Sequence, residues 1–391
     1  QMILIAVACG TGVGVNALLS RYLGEKKYKE ANQIASHGLF LAICNWLIFA
    51  VLGMFFSETF LRIFFSDEQI LQMGISYMKI CTLFSFGVFI QITYERIMQS
   101  TGNTIYNMII QGVGALINII LDPIFIFGYF GLPAFGVKGA AIATVIGQMI
   151  AMMLGIIITQ KKIKEVKIHP KEWKLDIKMI GKMYQIGFPA ILMQSIMSFM
   201  TVFMNMILIP FSELAVSVFS IYFKLQQFVF MAVLGMNNAL IPIISYNFGA
   251  KKKERILEAI HFSLIISSII MILGTVVFEL FPKELLYLFD AKENMLSIGM
   301  PALRIIRISF VFAGISIVLC SLFQALGHAN QSLLITLLRQ LVILIPLTWI
   351  LVRNFGLDIG WISFPITEII CTVLSIGMLI NIKRKTIMKI N

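Results

Sequence analysis

A carboxylate occurs inside an apolar, helix-forming stretch of the sequence. Asp122 is preceded by Asn118 at a separation of four residues, so both side chains project from one helix face. Pro123 follows the carboxylate and has no N–H to donate, which leaves a backbone carbonyl oxygen one turn earlier without its helical partner. A short Gly/Pro turn returns the chain through a second apolar segment that carries Thr144. A carboxylate and neutral oxygens at this spacing predict a site for a proton or for Na⁺ at Asn118, Asp122 and Thr144.

The polar face of these two segments has a structural interpretation as well. It extends to Gln111 in the first segment and to Gln148 in the second, where the four-residue spacing repeats. Interhelical hydrogen bonds of Asn, Gln and Thr hold helices together in membranes, so a structural clamp is an equal alternative for Asn118, Thr144 and the two glutamines. A clamp does not need a charge, and an ionisable group in lipid is costly, so Asp122 favours a function.

A second acidic residue lies deep in the last apolar segment. Glu368 follows Pro365 and is far from both ends of that segment, so we interpret it as a candidate for substrate or proton binding. Glu95, next to Arg96, is predicted instead to form a structural or snorkelling ion pair near a helix end. The residues predicted to line a substrate cavity are Gln111, Gln148, Gln194, Gln324 and Glu368.

The composition is that of a membrane protein. Of the 391 residues, 59% are hydrophobic and 13% are charged, and the mean hydropathy is +0.92. A soluble domain carries about 25% charged residues, so the chain is predicted to be polytopic. The formal net charge of +12 does not indicate nucleic-acid binding, because the basic residues fall in short blocks between apolar segments. The scattered cysteines and histidines predict no disulfide framework, no zinc site and no cofactor.

Eleven apolar segments are each long enough to cross a bilayer, which takes about 20 residues. The loops between them alternate between strongly basic and acidic or neutral, and the positive-inside rule places the basic loops and the C-terminal tail in the cytoplasm. The predicted fold class is therefore an all-α polytopic membrane protein. The predicted spans are 1–23, 34–57, 72–99, 104–130, 137–160, 184–210, 215–246, 256–281, 296–326, 331–353 and 358–382.

The sequence contains an internal repeat at an offset of 225 residues. LSRYLGEKK (19–27) aligns with ISYNFGAKK (244–252), and MQSTGN (98–103) aligns with FQALGH (323–328). Matches at two places with one offset predict two six-helix lobes related by a pseudo-two-fold axis along the membrane normal. The first half is one helix shorter and the chain begins with Gln1 rather than Met, so we expect a parent protein with twelve spans, eleven of them in this chain.

The repeat and the loop charges together predict four regions along the chain. The segment between the two halves carries eight lysines and is expected to be a cytoplasmic linker. The predicted regions are an N-terminal lobe without its first helix (1–160), the Lys-rich linker (161–183), a C-terminal lobe (184–382) and a cytoplasmic tail (383–391).

Several motifs, in order along the chain, resemble the prokaryotic branch of the multidrug and toxic compound extrusion (MATE) family of transporters. They are LGEKKYKEA (23–31), QSTGNT (99–104), NIILDPIFIFG (118–128), GVKGAAIATVIGQ (136–148) and YNFGAKKKERI (246–256). The resemblance implies two six-helix lobes that form a V-shaped cavity, and alternating access driven by inward flow of H⁺ or Na⁺. It also implies that Asn118, Asp122 and Thr144 match the polar positions of the first-lobe cation site.

The sequence departs from the family pattern at two places. The family's first helix usually supplies a further carboxylate to the cation site, and that helix is expected to be missing here. Some members carry acids in the seventh and tenth helices, whereas residues 184–210 and 296–326 contain none. Coupling is therefore expected to fall on the first lobe, with Asp122 alternating between a protonated or Na⁺-bound state and an empty, charged state.

The leading hypothesis is a secondary active exporter of amphipathic, often cationic organic compounds in the plasma membrane of a prokaryote. It is expected to be monomeric, to contact lipids but not nucleic acid, and to have no enzymatic activity. An integral membrane enzyme is less favoured because no nucleophile or clustered acid/base motif occurs, and a channel because a duplicated bundle suits alternating access. The alternative is a lipid-linked saccharide flippase of the same superfamily, whose cavity would be lined by several basic residues. The basic residues that would distinguish it, otherwise carboxylate partners or cytoplasmic anchors, are Lys224, Arg304, Arg307 and Arg339.

Overall fold

The computed structural model describes residues 2–63, 65–168 and 174–390. Within these ranges the chain forms α-helices, short 3₁₀ turns and one π-helical turn, and no strand. The predicted all-α class is therefore confirmed. Internal contacts divide the chain into two compact units, Gln1–Ile191 and Leu192–Asn391, which are called the first lobe and the second lobe from here on.

The helices of the first lobe follow the apolar segments of the sequence. A helix satisfies its own backbone N–H and C=O groups, which lipid cannot do, and this explains why apolar runs of about 20 residues become helices. The last helix of the first lobe continues into the second. The helices are α1 (Met2–Gly24), α2 (Tyr28–Arg62), α3 (Glu68–Leu83), α4 (Phe86–Ser100), α5 (Thr104–Phe127), α6 (Val137–Lys162) and α7 (Ile177–Leu208).

The second lobe adds long helices and several short ones. A π-helical turn, Leu338–Val342, lies between two of them, α13 and α14, and interrupts an otherwise continuous span. The helices are α8 (Glu213–Gly249), α9 (Lys253–Leu280), α10 (Pro282–Tyr287), α11 (Glu293–Ile306), α12 (Ser309–Ala325), α13 (Ala329–Leu337), α14 (Leu344–Phe355), α15 (Leu357–Gly360) and α16 (Ser363–Lys385).

In the described part of the chain, nine helical segments are long and apolar enough to cross a membrane, or up to eleven if each of two bent helix pairs is one span. The bent pairs fall on the predicted spans 72–99 and 296–326, which are broken rather than straight. α3 and α4 are bent by 44°, and α11 and α12 by 50°. At each break a buried serine, Ser85 or Ser309, donates its hydroxyl to the carbonyl oxygen three residues earlier, at 2.7 and 2.6 Å. Such bonds give the carbonyl oxygens at the break a side-chain donor where the regular helical pattern is interrupted.

The internal repeat is also visible in the backbone. Turn hydrogen bonds recur at the offset of 225 residues: Lys27 N–H donates to Tyr22 O, and Lys252 N–H donates to Asn247 O, both at 2.9 Å. The paired positions with positive φ are Lys26 and Lys251 (58° in both), Gly102 and Gly327 (81° and 85°), and Gly131 and Gly356 (81° and 87°). The two halves therefore share turn geometry as well as sequence motifs.

Two glycines allow α7 to approach α1 closely within the first lobe. Gly10 and Gly14 are four residues apart on α1, the spacing of small-residue helix contacts in membranes. A Cβ atom on Gly14 would overlap the carbonyl of Met183, and one on Gly10 would overlap Ile191. This approach therefore requires glycine at both positions.

The predicted lysine-rich linker contacts α2 on both sides of residues 169–173, which lie outside the described part of the chain. The backbone N–H groups of Lys167 and Asp176 donate to Asn32 Oδ1 (2.8 Å) and His37 Nε2 (2.9 Å). His37 is fully buried, so its ring is a fixed acceptor at the start of α7. The described linker residues are thus attached to α2 by side-chain acceptors.

Candidate functional site

Asn118, Asp122 and Thr144 lie together where α5 meets α6 in the first lobe. Asn118 Nδ2 donates to Asp122 Oδ1 at 3.1 Å and to Thr144 Oγ1 at 3.5 Å. Thr144 Oγ1 itself donates to Ala140 O at 2.9 Å, which directs its proton along α6 and leaves its oxygen to accept. All three predicted residues are half-buried. The structure therefore brings the predicted cation-site residues together in one cluster, called the Asp122 cluster below.

The described side-chain hydrogen-bond partner of the Asp122 carboxylate is neutral. None of the ion pairs formed by the described residues includes Asp122. Pro123 lies inside α5, so the carbonyl of Ile119 has no N–H of residue 123 to accept from. Gly114 and Gly147 face each other on α5 and α6, and a Cβ on Gly147 would come within 2.8 Å of Gly114 O. A carboxylate with neutral partners, beside closely packed helices, suits exchange of a proton or a hard cation.

Tyr77 of α3 is a further member of this cluster that the sequence pattern did not single out. Its hydroxyl hydrogen-bonds with Thr144 and Cys81 and lies within electrostatic range of Asp122. No local spacing relates α3 to α6, so the contact is invisible in the sequence. The one available signal is a phenol in the middle of an apolar span, because buried Tyr hydroxyls usually find a polar partner.

Gln111 belongs to a different polar group of the first lobe. Gln111 Nε2 donates to Glu95 Oε2 at 2.8 Å, and Gln91 Nε2 donates to Glu95 Oε1 at 2.9 Å. Glu95 is buried, so the two amides supply donors to both carboxylate oxygens. The neighbouring Arg96 donates Nη1 to Gln99 Oε1 at 2.7 Å. This network connects α4 to α5 and is separate from the Asp122 cluster.

A buried ion pair joins α16 to the π-helical turn in the second lobe. Arg339 Nε donates to Glu368 Oε1 at 2.6 Å, and only 13% and 11% of the two side chains are exposed. The other carboxylate oxygen, Glu368 Oε2, is buried and has no hydrogen-bond partner among the described residues. Phe364, one turn before Glu368, packs edge-on against Tyr222 with ring centroids 5.6 Å apart, which fixes this part of α16. The carboxylate therefore has one bonded and one unbonded oxygen.

The ion pair lines a cavity of about 250 Å³ within the second lobe. Gln340, next to Arg339, contributes a second buried acceptor, Oε1, that has no partner in the described part of the chain. Rings and thioethers on the wall are surfaces that repack easily around varied ligands. Other lining side chains include Gln194, Gln226, Gln227, Phe223, Phe230 and Phe364.

The π-helical turn sets Arg339 and Gln340 side by side on the cavity wall. Ile343 N–H donates to Leu338 O, five residues earlier, at 2.9 Å. Pro346 follows in the chain and has no N–H for the carbonyl four residues before it, so the regular helical pattern cannot continue through this turn. Single π turns inside helices are rare and frequently occur at functional sites.

One of the four predicted cavity glutamines lines the described cavity of the second lobe. Gln194 lines the cavity with Glu368. Gln148 lies beside Gly87 of α4, and Gln324 lies near the C-terminal end of α12, where it is not part of the cavity wall. The structure therefore groups Gln194 with Glu368 in the second lobe, and a substrate cavity shared by all five residues stays a prediction.

The basic residues of the second lobe have distinct surroundings. Arg307 forms an ion pair with Glu279, and Lys224 lies over an aromatic ring with its Nζ 5.6 Å from the centroid. Arg304 is exposed. Of these residues, only Arg339 lines the described cavity, and its charge is compensated by Glu368.

Comparison of the sequence with known proteins identifies relatives along nearly the whole chain. The MatE family model matches residues 1–124 and 189–350, well over half of the chain. The "Multidrug export protein MepA" of Staphylococcus aureus (strain MSSA476) is 27% identical over 363 residues, which cover 93% of this chain and 79% of that protein.

Solved structures show the same fold. An outward-facing multidrug resistance MATE family transporter of the MOP superfamily has a TM-score of 0.93 at 24% identity, and the match covers 98% of this chain and 86% of that one. The MATE multidrug transporter DinF-BH has a TM-score of 0.89 at 30% identity, and the match covers 99% of this chain and 85% of that one. On the family match, supported by this fold, the chain belongs to the MatE family of multidrug and toxic compound extrusion transporters.

Proposed function

We propose that this protein exports amphipathic, often cationic organic compounds, and that inward movement of H⁺ or Na⁺ through the Asp122 cluster drives the export. The observation that carries the proposal is the half-buried Asp122 carboxylate, which takes part in no ion pair among the described residues. The relatives support the substrate class, because MepA is named a multidrug export protein and DinF-BH is named a multidrug transporter.

The coupling ion is taken up by the Asp122 carboxylate. A proton would neutralise Asp122 directly; Asn118 lies at hydrogen-bonding distance from the carboxylate, and Thr144 lies at hydrogen-bonding distance from Asn118. Na⁺, as a co-transported ion, would use the same carboxylate together with the side-chain oxygens of Asn118 and Thr144, which are the hard ligands that such cations prefer. Either ion replaces a charged, empty site by a neutralised one.

Alternating access follows if the neutralised and the charged site favour different conformations. A bound ion shifts a conformational equilibrium only by its difference in affinity for the two states. An uncompensated carboxylate provides such a difference, because its cost in lipid depends strongly on whether an ion is bound. Export against a gradient is then linked to the ion that Asp122 releases on the inner side of the membrane.

The charges of the second lobe favour export over a saccharide flippase. Arg339 and Arg307 are each compensated by a carboxylate, and Lys224 and Arg304 are exposed and do not line the described cavity. We therefore propose a transporter and not an enzyme, acting as a monomer in a prokaryotic plasma membrane, with lipids as its neighbours and the C-terminal tail in the cytoplasm.

The experiment is ethidium transport by the purified protein in proteoliposomes, under an imposed H⁺ gradient or an imposed Na⁺ gradient alone. At least one gradient should concentrate the dye. Asp122→Asn keeps the shape of the side chain and mimics its neutral state, so this variant should insert normally and lose gradient-driven transport. Asn118→Ala should weaken coupling less, because it removes a neighbour of the titrating group and not the group itself.

Asp358→Asn is the matched control, because it makes the same chemical change at an exposed position of the second lobe. It should transport at the unmodified rate. If folded Asp122→Asn protein still concentrates ethidium at the unmodified rate under both gradients, Asp122 is structural and the coupling proposal is wrong.

A further inference from the structure

We propose that a groove on the second lobe binds an anionic phospholipid of the surrounding membrane. The groove lies between the C-terminal end of α7, with the turn that follows it, and α14, and its volume is about 560 Å³. Both helices belong to segments that are long and apolar enough to cross a membrane, Ile177–Leu208 and Ala329–Phe355. It shares no residue with the cavity that contains Glu368 and is called the α7–α14 groove below.

The wall of the α7–α14 groove is apolar apart from one residue. Of the nine described residues that line it, eight are apolar or aromatic, and Arg353 carries the single charge. Phe203, Met206 and Trp349 are 44%, 63% and 47% exposed, so much of this apolar surface is uncovered. Contact of such a surface with water is unfavourable, whereas contact with hydrocarbon chains is not. The occupant of the groove therefore comes from the bilayer.

The polarity of the groove changes along its length. Ile345, Trp349 and Arg353 follow one another at four-residue spacing on α14, so they lie on one helix face and span about 12 Å. Arg353 lies two residues before the end of this span and is exposed, which places its charge at the boundary between membrane and water. A cation at the boundary and an apolar wall beneath it match the charged head and the hydrocarbon chain of a phospholipid.

The charge of Arg353 has no carboxylate partner. None of the ion pairs formed by the described residues includes Arg353, and the acid nearest to it in the sequence, Asp358, does not pair with it. The guanidinium lies over the ring of Trp349, with Cζ 5.1 Å from the ring centroid, so it is held against the groove wall. A guanidinium in this position can donate two parallel N–H bonds to one phosphate.

The single positive charge selects among phospholipid heads. The phosphate of a zwitterionic head is accompanied by an ammonium group, which Arg353 repels, whereas the head of phosphatidylglycerol carries the phosphate charge alone. One basic residue near the membrane surface favours an anionic lipid by about fivefold. The α7–α14 groove is therefore expected to prefer phosphatidylglycerol to phosphatidylcholine by about this factor.

The test measures quenching of Trp349 fluorescence by brominated phospholipids in vesicles that contain the full chain. Bromine atoms on an acyl chain quench a tryptophan only at close contact, and Trp349 is part of the groove wall. Trp46 and Trp173 are replaced by Phe, whereas Trp361 is kept because it is buried. Mixtures of brominated phosphatidylglycerol with phosphatidylcholine, and the reverse mixtures, give the relative binding constant, which should favour phosphatidylglycerol about fivefold.

Three substitutions separate the charge of Arg353 from its packing. Arg353→Gln should abolish the preference for phosphatidylglycerol, and Arg353→Lys should keep most of it because the charge remains. Arg62→Gln is the matched control, since Arg62 is also an exposed arginine at the end of an apolar helix but does not line the groove. It pairs with Glu58 and Glu68 at 2.8 and 3.4 Å, and its replacement should leave the preference unchanged.

Equal binding of the two lipids by the unmodified chain would overturn the proposal, and so would a preference that survives in Arg353→Gln. A complete lack of quenching would overturn it too, because a protein surface such as a second copy of the chain would then cover the groove. Loss of the preference on addition of soluble glycerol phosphate would indicate a phosphate site and not a lipid site. Quenching is measured without any gradient or dye, so its outcome is independent of the proposed export.

Discussion

The two acidic sites lie at corresponding pairs of helices in the two lobes, but on opposite members of the pair, and only one of the two carboxylates is in an ion pair. Asp122 lies on α5 and faces α6, whereas Glu368 lies on α16 and faces the turn between α13 and α14, which the 225-residue offset aligns with α5. Asp122 accepts from a neutral amide at 3.1 Å, and Glu368 accepts from a guanidinium at 2.6 Å. The same pair of helices thus carries an uncompensated charge in one lobe and a compensated charge in the other.

The difference shows that the repeat determines which helices pack together. It does not determine which charged side chains lie between them. The offset aligns Arg339 with Gly114 and Glu368 with Ala143, so neither member of the ion pair has a charged counterpart in the first lobe. An uncompensated carboxylate can gain and lose a cation, which suits coupling. A carboxylate held in an ion pair keeps its position, which suits a binding surface.

The largest expected effect separates the two sites by their contribution to stability. Arg339→Met leaves the buried Glu368 without its cation and should lower the free energy of unfolding by about 3–5 kcal/mol. Asp122→Asn removes a charge that has only neutral partners and should change it by less than about 1 kcal/mol. Chemical denaturation in detergent micelles measures both values.

The double variant Arg339→Met/Glu368→Met sharpens this comparison. Replacing a whole buried ion pair by apolar side chains is often neutral or stabilising, so the double variant should regain most of the stability that Arg339→Met loses. A double variant as unstable as the single one would show that the π-helical turn itself, and not the unpaired carboxylate, is the source of the loss.

The next largest effect, a loss of stability when a turn glycine is replaced, should be equal in the two lobes. Gly102→Ala and Gly327→Ala place a side chain at φ of 81° and 85°, where a Cβ atom meets nothing within 4 Å, so the cost is conformational alone. Each variant should lose about 1–2 kcal/mol, and the two losses should agree. Gly112→Ala, also in open space but inside α5, is the control and should not destabilise. Thermal unfolding midpoints that differ strongly between Gly102→Ala and Gly327→Ala would contradict equivalent turns.

Smaller effects should follow from removing one tyrosine hydroxyl in each lobe: a loss of transport rate in the first lobe and a gain of stability in the second. Tyr77→Phe removes the hydroxyl that bonds Thr144 beside Asp122, and transport should slow by a few-fold, the value of one hydrogen bond of about 1 kcal/mol. Tyr222→Phe removes a buried hydroxyl that has no partner among the described residues, and the protein should become more stable by a comparable amount. Dye transport and thermal unfolding are measured on both variants. Unchanged transport by Tyr77→Phe, or an unchanged or lower unfolding midpoint of Tyr222→Phe, would contradict the prediction.

The smallest expected effect is a dependence of stability on pH through His328, whose counterpart in the repeat is not a histidine. Burial lowers the pKa of His328 from 6.5, so the folded protein favours the neutral ring. Stability should therefore be complete above pH 6.5 and should decline as the pH falls through the lower pKa of the folded state. Its counterpart in the first lobe is Asn103, which does not titrate. His328→Asn should flatten the decline of the unfolding midpoint below pH 6.5, and an unchanged pH profile would assign the decline to other groups.

The parts of the structure that depend on short spacing were predictable from the sequence. The four-residue spacing of Asn118 and Asp122 and the tight turn before Thr144 predicted a cluster, and the structure contains it. Hydropathy predicted the spans, and the motifs at one offset predicted the repeat. Each of these predictions depends on residues that are near one another in the chain, or on motifs that recur at one offset.

The parts that depend on tertiary contact were not predictable. Tyr77 joins the Asp122 cluster from α3, and nothing in its local sequence points to Thr144. Four basic residues were open as carboxylate partners, and only packing selects Arg339 for Glu368. The helix breaks beside Ser85 and Ser309 lie inside apolar segments, so hydropathy does not detect them.

The turns at Lys26 and Lys251 correspond at the 225-residue offset and share one unusual backbone conformation. Both lysines adopt a φ of 58°, a left-handed conformation that costs an L-residue about 1–2 kcal/mol and that glycine would adopt without strain. Two independent origins of the same unfavourable lysine at the same register are hard to reconcile with chance. A single ancestral bundle that already contained this strained lysine, copied end to end within one gene, accounts for both. The two acidic sites differ although the turns that bound the helices correspond, so the difference in charge does not depend on the geometry of these turns.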